Sequence, residues 1–260
     1  MNTLNLTRDA KAMNLELGEA LSTLTPLEKS LAIDTWRGRM RNEYVSARIF
    51  EQLLEQMREV GVSLRRQESI ARMMEDELRH GKLCAAVVLA LGGEPISELQ
   101  SLPDVPKHGD TNALEALLRN VLSVSCLSET VAVGLISAER LHSVHPVLEE
   151  TLRSILADEV QHARFGWTLL DEIGDSLNPI IRKRLSDYLA PAFASLRSYE
   201  FANLPTQAAP SEAGEAVGLC DGPSARRIFM DTVTDVIIPG LESHGLAAER
   251  AWRASFQIAA

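Results

Sequence analysis

The chain of 260 residues contains 45% hydrophobic and 24% charged residues and has a formal net charge of −10 at pH 7. This composition is typical of a folded globular protein and excludes a disordered chain, a collagen-like repeat and a small disulfide scaffold. The acidic balance argues against nucleic-acid binding, which requires a basic surface. The three cysteines form no CxxC pair, so no zinc or disulfide framework is indicated. Because the N-terminus lacks the apolar core of a signal peptide, we expect a cytoplasmic protein.

Helical periodicity dominates the chain, and no segment alternates clearly with a period of two. An N-terminal segment (1–24) precedes the first strong helix start, where Thr25, Pro26 and Glu28 form a predicted capping box. Five long helices are predicted: A (26–60), B (64–91), C (111–143), D (146–174) and E (178–203). Stretch 92–110 is polar and too long for a hairpin loop, so it is predicted to be a crossover connection.

A tight A–B hairpin, a long crossover and a tight C–D hairpin are typical of four-helix bundles with one crossover. We therefore predict an all-α four-helix bundle with a long B–C crossover and extra C-terminal helices. Helix E is expected to be appended to the bundle, which then covers residues 25–203. Segment 204–260 is expected to pack on this bundle.

The C-terminal segment has two predicted parts. Residues Pro205–Pro223 have the composition of a mobile loop, and a last helix starts near Ser224 and is interrupted at Pro239 and Gly240. The segment is interpreted either as a lid that excludes water from one end of the bundle or as the interface of a homodimer. The sequence leaves both interpretations open.

Helix C contains a long apolar stretch, residues 120–138, whose only formal charge is Glu129. Its length would suffice for a membrane span. A buried central helix is favoured because the flanks show no positive asymmetry. We therefore expect no membrane association and a functional reason for the buried Glu129.

A DExxH motif occurs twice, as Asp76-Glu77-x-x-His80 on helix B and as Asp158-Glu159-x-x-His162 on helix D. Glu and His three residues apart project from one helix face and can bind one metal ion together. Each motif has an upstream Glu partner, Glu43 on helix A and Glu129 on helix C. In antiparallel hairpins these spacings bring each partner to about the level of its motif.

Apolar residues one and two turns from each of the four Glu predict that these side chains are buried. Buried acids are costly unless they are paired or bound to metal. Four Glu and two His suit two iron ions, or manganese or a mixed pair, better than structural zinc. Asp76 and Asp158 are predicted to accept the outer N–H of a ligating His. Small residues near the ligands are interpreted either as space for a substrate or as close helix packing: Ala47, Ala132, Ala163 and Gly166.

A further ExxH pair, Glu139 and His142, lies at the C-terminal end of helix C. Glu139 is ten residues after Glu129, which places it about 80° away around the helix. We therefore predict that both side chains lie on the solvated surface.

The repeated pattern E-x(n)-DExxH resembles that of the ferritin-like non-haem di-iron oxygenases, over about residues 26–174. The resemblance implies that Glu43, Glu77 and His80 hold one iron. It also implies that Glu129, Glu159 and His162 hold the other, with Glu77 and Glu159 able to bridge. It implies an oxidoreductase that uses O2 as co-substrate and acts on a small organic molecule. The chain departs from the p-aminobenzoate N-oxygenases at Ile155, where those enzymes have an additional His.

Hydroxylation, N-oxygenation, desaturation and C–C cleavage all remain open as the reaction. The chain lacks nucleotide-binding and iron–sulfur motifs, so an external electron donor or a reducing substrate is expected. Two other functions are also left open by the residues. One is a di-manganese, catalase-like enzyme, and the other is a ferritin-like metal-binding or storage protein without an organic substrate.

Overall fold

The computed structural model describes residues 2–99, 104–142, 145–174, 177–206 and 209–258, without the side chains of 19–21. Most described residues are helical, which confirms the predicted all-α helical bundle. The α-helices are α1 (Thr7–Met13), α2 (Pro26–Glu59), α3 (Leu64–Ala90), α4 (Ala113–Val121), α5 (Thr130–His142), α6 (Pro146–Gly174), α7 (Pro179–Asn203), α8 (Glu212–Ala216), α9 (Gly222–Thr232), α10 (Ile238–Ser243) and α11 (Ala248–Ser255). A 3₁₀-helix spans Gly18–Thr23.

Side chains cap the starts of two long helices, and the cap at Thr25 is the predicted capping box. Thr25 accepts a hydrogen bond from the Glu28 backbone N–H, and the Glu28 carboxylate accepts one from the Thr25 N–H. The Asn178 side chain caps α7 by accepting from the Ile180 N–H at 2.8 Å. Helix α2 and helix α3 pack along each other after a short turn in which Gly61 has φ +69°. The predicted A–B hairpin is therefore present.

Two short strands were not predicted. Strand β1 (Asn2–Asn5) pairs antiparallel with strand β2 (Ile96–Leu99), which lies inside the predicted crossover. Each strand has only four residues, too few for a period-two pattern to stand out from the sequence. Their partnership joins the N-terminal segment to the stretch that follows α3.

Predicted helix C is continuous in space but not uniform. Between α4 and α5 the backbone forms a π-helix over Leu122–Glu129, and Glu129 is its last residue. A second π-helix, Val233–Ile237, lies between α9 and α10, immediately before the predicted interruption at Pro239. The two π-helices contact each other. Such insertions depend on tertiary packing and have no hydrophobic signature in a sequence.

By packing, the chain divides into two compact units. Unit 1 comprises Met1–Val105, Ser137–Asp158 and Gln207–Asp221, and unit 2 comprises Pro106–Ile136, Glu159–Thr206 and Gly222–Ala260. Helix α6 contributes residues to both units, because Asp158 closes a segment of unit 1 and Glu159 opens one of unit 2. Within unit 2, α7 packs against α11 and α4.

The predicted mobile loop differs from the observed segment. Its described residues 209–223 contain α8, and Val217 is fully buried within unit 1. The Trp36 indole N–H donates to the Val217 carbonyl oxygen at 2.8 Å, and the Glu28 carboxylate accepts from the Ser211 N–H at 3.2 Å. Trp36 and Glu28 of α2 therefore hold this segment in place. The Gly- and Pro-rich composition of the segment gives no sign of these contacts. Residues 207 and 208 lie outside the described part.

Among the described residues, the helical stretch Ala113–His142 is the one segment long and apolar enough to cross a membrane. Buried residues make up 44% of its most apolar window. The same length and hydropathy occur in core helices of water-soluble proteins, so this observation alone does not assign a membrane. The expected absence of membrane association stays a prediction.

Candidate metal centre

The first triad consists of Glu43 on α2 and of Glu77 and His80 on α3, all within unit 1. Each side chain offers an oxygen or nitrogen atom, and these atoms lie within 4.8 Å of one another. Glu77 and His80 are 1% and 0% exposed, and the Glu43 side chain is 15% exposed. His80 Nδ1 lies 3.7 Å from Glu43 Oε2. The sequence prediction that these three residues meet is therefore matched by their positions in unit 1.

The packing of α2 on α3 explains how these polar groups come to be buried. The apolar residues predicted around Glu43 and Glu77 are buried: Trp36, Met40, Ala47, Phe50, Ile70, Met73, Cys84 and Val87. Gly81, next to His80, lies against the backbone of α2, where an added Cβ would be 3.6 Å from the Met40 carbonyl oxygen and 3.7 Å from Glu43 Cβ. The packing of these apolar residues therefore brings the side chains of Glu43, Glu77 and His80 together.

Asp158 is the predicted outer partner of a ligating His, and it occupies that position beside His80. His80 Nε2 lies 3.1 Å from Asp158 Oδ2. Because a carboxylate accepts hydrogen bonds, this contact favours a proton on Nε2 and a lone pair on Nδ1, the atom that faces Glu43. The Arg79 guanidinium donates a hydrogen bond to Asp158. It also donates to Ser154 Oγ at 3.2 Å and lies 3.6 Å from the Asp76 carboxylate. The Asp158 carboxylate therefore holds the His80 ring in the orientation that a metal ligand requires.

The second triad consists of Glu129, Glu159 and His162, all within unit 2. Their ligand atoms also lie within 4.8 Å of one another. His162 Nδ1 is 3.2 Å from Glu159 Oε2, one helical turn away on α6, and 3.9 Å from Glu129 Oε2. The three residues are 7%, 3% and 0% exposed in the order Glu129, Glu159, His162. This triad is thus more deeply buried than the first, whose Glu43 reaches solvent.

Close packing rather than empty space explains one of the small residues near this triad. An added Cβ at Gly166 would lie 2.7 Å from both the Cys126 sulfur and Ser125 Cβ. Gly166 therefore lets α6 approach the π-helix that ends at Glu129. The interpretation of Gly166 as space for a substrate is wrong, since Ser125 and Cys126 fill that position. Ile155 stands where the p-aminobenzoate N-oxygenases have an additional His, and its side chain is buried.

The prediction that Glu139 lies on the solvated surface is wrong. Glu139 is 4% exposed and accepts a hydrogen bond from Arg39, within unit 1. Arg39 in turn lies over the Trp36 ring at 4.9 Å. Burial raises the pKa of the Glu139 carboxyl, and the Arg39 guanidinium opposes that rise. His142 is exposed, as expected.

A sequence signal for this ion pair existed on α2. Arg39 lies between Trp36 and Met40, both of which were expected on a buried seam, and a cation at such a position needs an acid nearby. Two thiols lie in the same environment. Burial, helped by the charge of Glu43, raises the pKa of Cys84 well above its usual value, and burial together with the charge of Glu139 raises the pKa of Cys220 to about 12. These thiols are therefore neutral at physiological pH and unsuited to act as thiolate ligands.

The chain matches no family model, no curated protein and no solved structure. The chemistry of the two triads therefore has to be inferred from their own geometry. Each is a buried Glu/His cluster that could hold a metal ion.

Proposed function

We propose that the protein is an O2-activating non-haem di-iron oxidoreductase that acts on a small organic substrate. The observation that carries the proposal is that both triads combine two carboxylates with one buried imidazole inside a helical bundle, and that every one of these side chains except Glu43 is buried. Buried acids at this density strongly disfavour folding unless a cation compensates them. Two divalent ions would neutralise the four carboxylates of Glu43, Glu77, Glu129 and Glu159.

The two triads are proposed to form one dinuclear centre. By the resemblance to ferritin-like di-iron oxygenases, Glu77 and Glu159 would bridge the two ions. Glu43 with His80, and Glu129 with His162, would complete one ion each.

A bound pair of redox-active ions would supply electrons and open coordination positions for O2. The residues of the chain perform the remaining tasks. The Asp158 carboxylate holds a proton at His80 Nε2, so that Nδ1 can donate its lone pair. The buried seams around the triads exclude water from the reacting groups, which limits side reactions. External electrons would come from a separate reductase or from a reducing substrate.

Anaerobic loading with Fe²⁺, followed by O2, tests the proposal. We expect two iron ions per chain, and rapid O2 consumption with new optical and Mössbauer signals. A matched pair of variants links the signals to the triads: His80→Ala, expected to lower the iron content, and Glu55→Ala, an exposed acid on α2, expected to leave it unchanged.

Three results would contradict the proposal. A chain that binds no stoichiometric metal would remove it altogether. Selective Mn²⁺ binding with O2 release from hydrogen peroxide would indicate a catalase-like enzyme instead. A cage-sized assembly that accumulates many iron ions per chain would indicate a storage protein.

A further inference from the structure

The π-helix Leu122–Glu129 presents Glu129 to the second triad, so its backbone geometry decides where that ligand lies. Two hydroxyl groups, one exposed and one buried, reinforce the wide turn. Ser128 Oγ donates to the Ser123 carbonyl oxygen at 3.2 Å, and Thr130 Oγ1 lies 3.5 Å from the Ser125 carbonyl oxygen. Both hydroxyls reach carbonyl groups five residues earlier, the spacing of a π-helix. The turn before Glu129 therefore depends on where the Thr130 hydroxyl points.

Trp167 of α6 controls that hydroxyl. Its indole N–H lies 3.2 Å from Thr130 Oγ1 and can only donate. The Thr130 oxygen must therefore accept, which directs its own hydrogen toward the Ser125 carbonyl oxygen. Thr130 directly follows Glu129. A rotation of the Thr130 hydroxyl would therefore change how the backbone at Glu129 is held.

The C-terminal segment in turn fixes the Trp167 ring. At Gly240 of α10, an added Cβ would lie 2.9 and 3.0 Å from two carbon atoms of the indole. The His244 ring faces the indole with centroids 6.1 Å apart, and His244 Nε2 lies 2.9 Å from Asp171, one turn after Trp167 on α6. All these residues belong to unit 2. The ring is thus packed against α10 on one side and tied to Thr130 at its N–H.

We infer that Trp167 is a positioning residue for Glu129, and that α10 sets the geometry of the second triad through it. The C-terminal segment therefore acts on one half of the proposed centre by supporting a ligand helix from outside. This inference rests on the proposed function, because its consequence is a metal affinity. It assigns the segment a role that differs from both a lid and a dimer interface.

Co²⁺ titration of the full chain under anaerobic conditions, followed by visible absorbance, tests the inference with Trp167→Phe. This variant keeps an aromatic ring against Gly240 and removes the N–H. Outer partners of metal ligands typically change affinity by about ten- to a hundredfold, so one of two binding steps should weaken by about tenfold while the other is unchanged. The matched control is Trp252→Phe, a buried tryptophan of α11 that packs edge-on against Phe193. It should leave both steps unchanged.

A second pair of variants guards against a general loss of packing. Thr130→Val removes the hydroxyl and should reproduce the effect of Trp167→Phe, whereas Thr130→Ser keeps the hydroxyl and should restore both steps. Amide hydrogen exchange of residues 122–130 without metal gives an independent measurement. Exchange there should be faster in Trp167→Phe than in Trp252→Phe.

The outcomes separate the two levels of the argument. Equal affinities and equal exchange in Trp167→Phe and Trp252→Phe would overturn the positioning role. So would equal weakening of both binding steps in Trp167→Phe. If the parent chain bound no metal, the proposed function would fail, and the exchange measurement alone would then support or overturn the positioning of the π-helix.

Discussion

The two triads contain the same residues, two Glu and one His, but differ in what surrounds them. The first lies on regular helices and borders charged groups. Asp158 contacts His80, Arg79 donates to Asp158, and the buried Glu139 pairs with Arg39 in the same unit. In the second triad, Glu129 is the last residue of a π-helix. Hydroxyl groups, the Trp167 indole and the close approach at Gly166 hold this π-helix in place.

This difference teaches that one ligand pattern can be supported in two physical ways. Charged neighbours act over several ångströms and tolerate small shifts of the backbone. Short hydrogen bonds and close van der Waals contacts do not tolerate such shifts of the backbone. We therefore expect the first triad to respond mainly to changes of charge, and the second mainly to changes of shape.

The largest effect is expected from removing ligands. Glu77→Ala and His162→Ala each delete one donor of a buried set, so the metal content should fall from two ions per chain to one or fewer. Metal analysis after anaerobic loading measures this. Asp231→Ala, an exposed acid on α9, serves as the control in unit 2. Normal occupancy in either ligand variant would remove that residue from the ligand set.

The next effect concerns the charged surroundings of the first triad. Arg39→Met leaves Glu139 buried without its cation, which should lower the free energy of unfolding by about 3–5 kcal/mol. The double variant Arg39→Met with Glu139→Leu should recover most of that loss. Denaturant unfolding of the metal-free chain measures both. A double variant as unstable as the single one would show that the ion pair itself, and not the unpaired acid, matters.

A half-buried acid of unit 2, Glu200, allows a test by pH. Burial raises the pKa of Glu200 from 4.5 to about 7, so the folded chain retains a proton that the unfolded chain has released. The free energy of unfolding should therefore fall as the pH rises from about 4.5 through 7, by about 2–3 kcal/mol in total. Glu200→Gln keeps the shape and removes the titration. It should match the parent near pH 4.5 and exceed it at pH 8, and equal stability at both pH values would contradict the assignment.

The smallest effect comes from a pair of glycines, one beside each triad. Gly166→Ala places a Cβ 2.7 Å from Ser125 Cβ and the Cys126 sulfur, so it should destabilise the chain by about 1–3 kcal/mol. At Gly81 the nearest atoms would be 3.6–3.9 Å away, and Gly81→Ala should be neutral or stabilising by up to about 1 kcal/mol. Thermal unfolding measures both. Equal effects at the two positions would remove the proposed contrast between the triads.

Much of the helical framework could be predicted because its signals are local. The Thr25 capping box and the apolar seams around Glu43 and Glu77 act within a few residues, and the structure bears them out. The seam around Glu129 is buried only in part, since Ala132 and Ile136 are half-buried. The DExxH motifs are equally local. Their one-turn spacing brings Glu77 together with His80, and Glu159 together with His162, whatever the rest of the chain does.

The features that could not be predicted depend on distant partners. The π-helix before Glu129 is held by Tyr188, whose hydroxyl lies 2.7 Å from Ser123 Oγ, and by the approach of Gly166. The angle between Glu129 and Glu139 around the helix predicts a surface position for Glu139, but that angle carries no information about other helices. The burial of Glu139 is decided by Arg39 of another helix.

The pairing of β1 with β2 has a consequence for the order in which the chain folds. Asn2 pairs with Leu99, so β1 has no partner until the ribosome has released all of α2 and α3. Loop closure over so long a stretch is slow unless the intervening chain is already compact. The α2–α3 hairpin should therefore form first and bring the two ends together. The small sheet would then form after this hairpin is complete and would not initiate its folding.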